Sequence, residues 1–339
     1  MQQQQINALA TALEQNPTST LSNTSIGGYG EHHFNHNKKS DDIIDAHRYV
    51  LFVSHQYSDT IAFFSEFEIE HGLAGDGKAG EVEVEQAFIH WQINSNQALN
   101  IGQFLVPIGI INETHEPDTF YGVERNPVEA EIIPATWWEA GVMNSGIIIG
   151  GFSYDIALHS GLNSVTADIR QGRQKNSKAV AEKWAVTGRI KYTGIKGLEL
   201  ASTVNWQQDL TQGALTAEAE ATLLELHGIY TTGPVGIRAL YAIWNIDSDA
   251  AKTAGTDKQT GLYIEPFYKV SENLGIFARY SQWDNEAGSS LDTETTQYDI
   301  GLSYWLADNV VLKADWQDQD KASTSSEKDG FNLGVGWSF

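Results

Sequence analysis

Apolar and polar residues alternate with a period of two along most of this chain. In 295–306, Tyr298, Ile300, Leu302, Tyr304 and Leu306 form one face and Gln297, Asp299, Gly301 and Ser303 the other. In 309–319, Val310, Leu312, Ala314 and Trp316 oppose Lys313, Asp315 and Gln317. In 197–209, Leu198, Leu200, Val204 and Trp206 oppose Glu199, Thr203, Asn205, Gln207 and Asp209. Successive side chains of a strand point to opposite faces, so each run predicts a strand with one greasy side and one wet side. The pattern predicts sixteen strands, near 24–36, 46–58, 60–73, 82–95, 97–107, 137–149, 151–162, 179–193, 197–209, 216–232, 234–246, 258–270, 274–284, 295–306, 309–319 and 329–339. The last ends on Trp337-Ser338-Phe339. An edge strand of a soluble sheet is the alternative for this segment, but a soluble terminus usually frays into water, and a closing aromatic suits a strand facing lipid.

Alternation alone does not say whether the apolar faces meet one another or lipid. The connections do. Short turns are predicted at Ser58-Asp59, Asn94-Ser95-Asn96, Gly150-Gly151, Thr193-Gly194-Ile195-Lys196, Thr232-Gly233-Pro234, Ser271-Glu272-Asn273 and Ala307-Asp308-Asn309. Between them fall longer polar loops near 36–45, 74–81, 108–136, 163–178, 210–215, 247–257, 285–294 and 320–328. Such alternation gathers tight turns at one end of a barrel and loops at the other, as in outer-membrane barrels. The expected fold is an all-β, sixteen-stranded antiparallel transmembrane β-barrel over 23–339. Residues 1–22 form a short helix or a flexible periplasmic segment, with Ile6, Leu9 and Leu13 on one stripe ahead of Pro17. That stripe also fits a coiled-coil tip joining copies of the protein.

Composition supports the membrane reading. No run of 18 apolar residues occurs, which leaves a closed barrel as the way to cross a bilayer. Thirteen Tyr, 13 Phe and 10 Trp accompany 31 Gly and 7 Pro. Tyr49, Tyr57, Trp137, Trp138, Tyr192, Trp206, Tyr230, Tyr268, Tyr280, Tyr304, Trp316 and Trp337 fall near predicted strand ends, where aromatic girdles sit. The absence of cysteine rules out disulfide and thiolate chemistry. A net charge of −23 argues against nucleic acid as a partner. Met1-Gln2-Gln3-Gln4-Gln5 lacks the basic and apolar regions of a signal peptide. The expected location is the bacterial outer membrane, in contact with the lipid bilayer and lipopolysaccharide.

A sixteen-stranded barrel encloses a water channel, so inward residues carry the function. Parity places Glu66, Glu68 and Glu70 inward on one strand and Arg48 on its neighbour. Further inward bases are Lys183, Arg189, Lys191, Arg238, Lys269, Arg279 and Lys313; further inward acids are Asp155, Glu199, Asp209, Glu225, Glu265, Asp299 and Asp315. Two readings stay open: a solvated lining without preference, or an acid wall facing a basic wall, with a mild preference for cations. The longest connection, 107–136, carries Ile108, Ile110, Ile111, Phe120, Tyr121, Ile132 and Ile133. That is too much apolar surface for a solvated loop. It is expected to fold into the lumen and to bring Glu113, His115, Glu116, Asp118, Glu124, Arg125, Glu129 and Glu131 to a constriction, with Glu139 on the strand that follows. No cofactor or metal is expected. His32, His33 and His36 beside Glu31 lack zinc-site spacing, and His115-Glu116 has no nucleophile motif with it.

Ile101-Gly102-Gln103-Phe104-Leu105-Val106-Pro107-Ile108-Gly109, His115-Glu116-Pro117, Tyr121-Gly122-Val123-Glu124-Arg125 and Ile132-Ile133-Pro134-Ala135-Thr136-Trp137-Trp138-Glu139-Ala140-Gly141 resemble the porins grouped with the phosphate-selective O and P type. The resemblance implies sixteen strands, a homotrimer, and a third outer loop within the channel. Phosphate selectivity does not carry over, because that property rests on inward arginines and lysines, and this chain has 21 basic against 44 acidic residues. The function expected is passive diffusion of small polar or charged solutes and ions. A receptor or adhesion barrel, or a barrel enzyme with a plugged lumen, is the alternative.

Overall fold

The computed structural model describes residues 23–321 and 327–339. The expected segment 1–22 lies outside them. Sixteen strands run β1 (Thr24–Asn37), β2 (Ile43–Ser58), β3 (Ile61–Glu70), β4 (Val82–Asn94), β5 (Gln97–Leu105), β6 (Trp138–Ile147), β7 (Phe152–Ser160), β8 (Trp184–Tyr192), β9 (Leu198–Gln207), β10 (Glu220–Thr232), β11 (Val235–Asp247), β12 (Lys258–Lys269), β13 (Leu274–Asp284), β14 (Thr295–Ala307), β15 (Val310–Lys321) and β16 (Gly330–Ser338). Each pairs antiparallel with its neighbours in sequence, and β1 pairs with β16 from Tyr29↔Ser338 to Asn37↔Gly330. Closure leaves no open edge, the condition a sheet must meet to satisfy its backbone in lipid.

Short polar side chains set the tight turns. Ser58 Oγ accepts from the Ile61 amide at 3.2 Å, Asn94 Oδ1 from Asn96 at 2.9 Å, and Ser271 Oγ from Leu274 at 3.2 Å. The first outer connection is shorter than expected, 38–42 rather than 36–45, because β1 and β2 extend past their predicted ends. The fourth is longer, because β8 begins at Trp184 and not at 179. There the side chain of Gln174 bonds both the amide and the carbonyl of Val180, at 2.7 and 2.8 Å, and takes the place of a ladder partner.

The two faces of the wall differ as the alternation requires. Leu200, Val204, Leu226, Ile264, Ile276, Ile300, Leu302 and Leu312 lie exposed on the outside. Their neighbours Thr203, Asn205, Glu225, Glu265, Arg279, Asp299 and Asp315 are buried on the other face. An apolar belt of this extent on a closed barrel is the signature of a lipid-facing surface. Tyr49, Tyr57, Tyr230, Tyr268, Tyr304 and Trp316 are exposed on the outside. Trp137 and Trp138 are not girdle residues: both are buried, and the Trp137 ring packs against Trp244. The main apolar core joins Val106, Ile108, Ile110, Val128, Ile132, Ile133 and Trp137 to Leu223, Leu240, Trp244, Ile246, Tyr263 and Trp283 of β10–β13.

Candidate functional site

The connection 106–137 is held by bonds to strands all round the barrel. Its one helix, α1 (Pro127–Glu131), follows from its sequence: Asn126 Oδ1 caps the Val128 amide at 2.8 Å, and proline suits the first helical position. Against β11 and β12, Trp244 Nε1 donates to the Ile132 carbonyl at 2.8 Å and the Tyr263 hydroxyl to Glu129 at 2.7 Å. Glu129 also accepts from the Ile110 and Ile111 amides, both at 2.8 Å. Gly109 makes room for this carboxylate: its φ is +69°, and a Cβ there would sit 2.5 Å from Glu129 Oε2. Burial pushes the Glu129 carboxyl up to about 7, against the pull of those donors.

The rest of the segment meets the wall through charge. Arg189 of β8 pairs with Glu113 and, at 2.7 Å, with Asp155. The Val123 amide donates to Asp315 of β15 at 2.5 Å, and Ser338 of β16 to Asp118 at 2.9 Å. Glu124 meets His33 at 3.0 Å and Asn35 at 2.9 Å on β1. Burial opposes the Glu124 charge, yet His33 and Asn35 hold its carboxyl down at about 2. Arg238 donates to the Thr119 carbonyl at 3.0 Å. Arg48 of β2 pairs with Glu31 and reaches the His115 carbonyl at 3.3 Å. His115 Nε2 lies 3.5 Å from Glu66 of β3 and 3.4 Å from Glu85 of β4.

Beside this segment opens a cavity of ≈ 980 Å³. Of the residues singled out from sequence, His36, Arg48, Glu70, Glu124, Arg125 and Glu131 line it, whereas Glu129 is buried away from it. Arg125 also donates to Thr136 Oγ1 at 2.7 Å. Glu66, Glu68, Glu113, His115, Arg189 and Arg279 are buried away from it. Arg279 is bound to Asp299 at 3.0 Å and Glu265 at 3.2 Å. Glu116 is half-buried, its carbonyl taken by the Thr119 hydroxyl at 2.7 Å. Glu139 stays inside the wall, bonded to Trp137 Nε1 at 2.9 Å and to Ser160.

Two expectations need correction, the opposed walls and the placement of Lys183 and Asp209 in strands. Acid and base do not form two opposed walls. Register puts Arg48 opposite Glu31, Arg189 opposite Asp155, Arg238 opposite Glu265 and Arg279 opposite Asp299, and directly opposed side chains neutralise each other locally. Lys183 and Asp209 lie in connections, not in strands. Asp209 caps its own loop through the Thr211 and Ala219 amides, each at 2.9 Å. The His32, His33 and His36 side chains diverge: His32 stacks on Trp337, His33 joins Glu31 and Glu124, and His36 meets Asp42 at 2.7 Å. His115 turns to Glu66 and Glu85, so it makes no dyad with Glu116.

Sequence reasoning missed Glu83 and Glu85 of β4 and Arg170, Arg173 and Lys175 of the fourth outer connection. Lys175 joins Glu81 and Glu83, while Arg173 donates to the carbonyls of Pro134 at 3.2 Å and Thr136 at 2.7 Å. The alternation Val82-Glu83-Val84-Glu85 was a usable signal for the two acids.

Residues 136–324 match the family model described as Gram-negative porin. A relative 29% identical over 93% of this chain and 80% of its own length is an uncharacterized protein of Aquifex aeolicus (strain VF5). Among solved structures, an anion-selective porin from Comamonas acidovorans superposes with a TM-score of 0.64, at 14% identity over 93% of this chain and 99% of that one. OmpT, an outer membrane protein of Vibrio cholerae, in its trimer form, gives 0.61 at 14% identity with the same coverage. At such identities these structures attest the fold, while the family model spans more than half the chain. The protein belongs to the Gram-negative porin family.

Proposed function

We propose that the protein is an outer-membrane diffusion channel for small polar or charged solutes, narrowed by residues 107–136 lying within the lumen. The observation that carries this reading is the set of bonds from one connection to β1, β2, β8, β11, β12, β15 and β16, which a segment outside the ring could not reach together. That arrangement follows the third-loop pattern of the phosphate-selective O and P group without its basic residues. The acidic β3–β4 wall and the net charge of −23 favour a mild preference for cations. A homotrimer is consistent with the trimer form of the Vibrio cholerae neighbour. The apolar outer belt suits bilayer lipid and the acyl region of lipopolysaccharide.

Planar-bilayer recording of the refolded chain tests the channel. Discrete conductance steps with a reversal potential on the cation side of zero are expected; no conductance from correctly folded protein contradicts the proposal.

A further inference from the structure

A bulge between β3 and β4 aims two successive side chains the same way. Glu66 pairs with Gln86 and Phe67 with Val84, so Glu85 is the extra residue, and both Glu85 and Gln86 are buried on the inner face. His115 arrives from the third connection. Its Nδ1 lies 3.2 Å from the Asn112 carbonyl, which only accepts, so Nδ1 carries a hydrogen and Nε2 faces Glu66 Oε1 and Glu85 Oε2. Among the described residues, none of these three atoms has a hydrogen-bond partner, and neither has Glu68 Oε1; all four residues are at most 3% exposed.

A proton would not close this gap well. An imidazolium–carboxylate bond is about 2.7–2.9 Å long. The spacings here are 3.4 and 3.5 Å. Ligand atoms about 2.0–2.2 Å from a tetrahedral zinc ion stand roughly 3.3–3.6 Å from one another, which fits. The surroundings are those of a metal-bound histidine, whose second ring nitrogen usually donates to a carbonyl or carboxylate. Asn112 is itself fixed by the carbonyls of Val106 and Trp137, at 2.8 and 2.9 Å. Gln86 holds the far oxygen of Glu66 at 2.6 Å. Arg48, on the adjacent strand, pairs with Glu31.

We propose that Glu66, Glu85 and His115 bind a divalent transition cation, zinc being the best match, with water as the fourth ligand. Glu68, Glu83 and Glu85 form a second cluster beside it, whose ligand atoms also lie within 4.8 Å of one another. One imidazole nitrogen among carboxylates favours zinc or its neighbours over calcium and magnesium, which prefer all-oxygen sites. The ion would tie the 106–137 segment to β3 and β4, across the barrel from the apolar cluster on β10–β13.

The test is equilibrium dialysis of the full-length refolded protein, stripped with chelator, against zinc alone, with bound metal counted. Wild type and His32→Ala, whose ring stacks outside on Trp337, are expected to bind one zinc per chain. His115→Ala and Glu85→Gln are expected to bind at least 100-fold more weakly. Zinc K-edge absorption on the wild type, which needs no variant to fold, is expected to show one nitrogen among oxygens. Absence of zinc from wild type, unchanged affinity in His115→Ala, or an all-oxygen shell would overturn the assignment. Zinc is counted without any current, so the outcome is independent of channel activity.

Discussion

The wall of β10–β13 and the wall of β1–β4 receive the same connection by different physics. On the first, Val128, Ile132 and Ile133 bury against Leu223, Leu240, Trp244 and Tyr263 in a cluster that excludes water. On the second, Glu124, His115 and the inner faces of β1–β4 meet through His33, Arg48, Glu66 and Glu85, beside an open cavity. Apolar burial supplies affinity without direction, whereas buried charge pairs supply direction and position, with a desolvation cost that offsets much of their attraction. The segment is therefore anchored on one side and tuned on the other.

The largest effect should come from the anchor. Trp244→Ala removes a buried ring and its bond to the Ile132 carbonyl, and is expected to cost about 3–5 kcal/mol in urea unfolding of the vesicle-inserted protein, with a raised single-channel conductance. Unchanged conductance would mean that the segment does not narrow the pore. Next comes Arg189→Leu, which strands Glu113 and Asp155 together in a buried place. A loss of about 3 kcal/mol is expected, and a double cycle with Glu113→Gln should recover part of it.

A smaller effect is set by pH through Glu129. Its carboxyl keeps a proton up to about 7 in the folded segment. In an unfolded chain it releases the proton near about 4.3. Between these values the folded state binds more protons, so the anchor weakens as pH rises across that window. Proteolysis of the 106–137 segment should accelerate from pH 5 to 8 in wild type, and Glu129→Gln should flatten the trend. The smallest effect belongs to the tuned side. Glu70→Gln with Glu83→Gln should move the reversal potential toward anions by a few millivolts while leaving stability within about 0.5 kcal/mol. A destabilisation as large as that of Trp244→Ala would erase the distinction between the two walls.

Local pattern carried much of the architecture. β14 is readable almost to the residue because Tyr298 to Leu306 alternate without interruption and Ala307-Asp308-Asn309 closes the turn. The start of β8 was not, since Ala179-Val180-Ala181 looks like strand, while the side chain of Gln174 takes both polar groups of the Val180 backbone. The site was legible as a set of residue types on predicted faces. Its partners were not: the meeting of Glu85 with His115 and the pairing of Arg189 with Glu113 join distant positions that no local period encodes.

Adjacent positions on β15 offer the most direct test of which side of the wall meets water. Trp316 is exposed on the outer face, and Gln317 lines the inner cavity. The chain has no cysteine, so Trp316→Cys and Gln317→Cys each carry a single thiol. In vesicle-inserted protein, a charged, membrane-impermeant thiol reagent should modify position 317 and reduce the current, while position 316 resists it and is modified by a lipid-soluble maleimide. The opposite pattern, or equal aqueous labelling of both in a detergent-free soluble form, would contradict a lipid-facing belt around a water-filled interior.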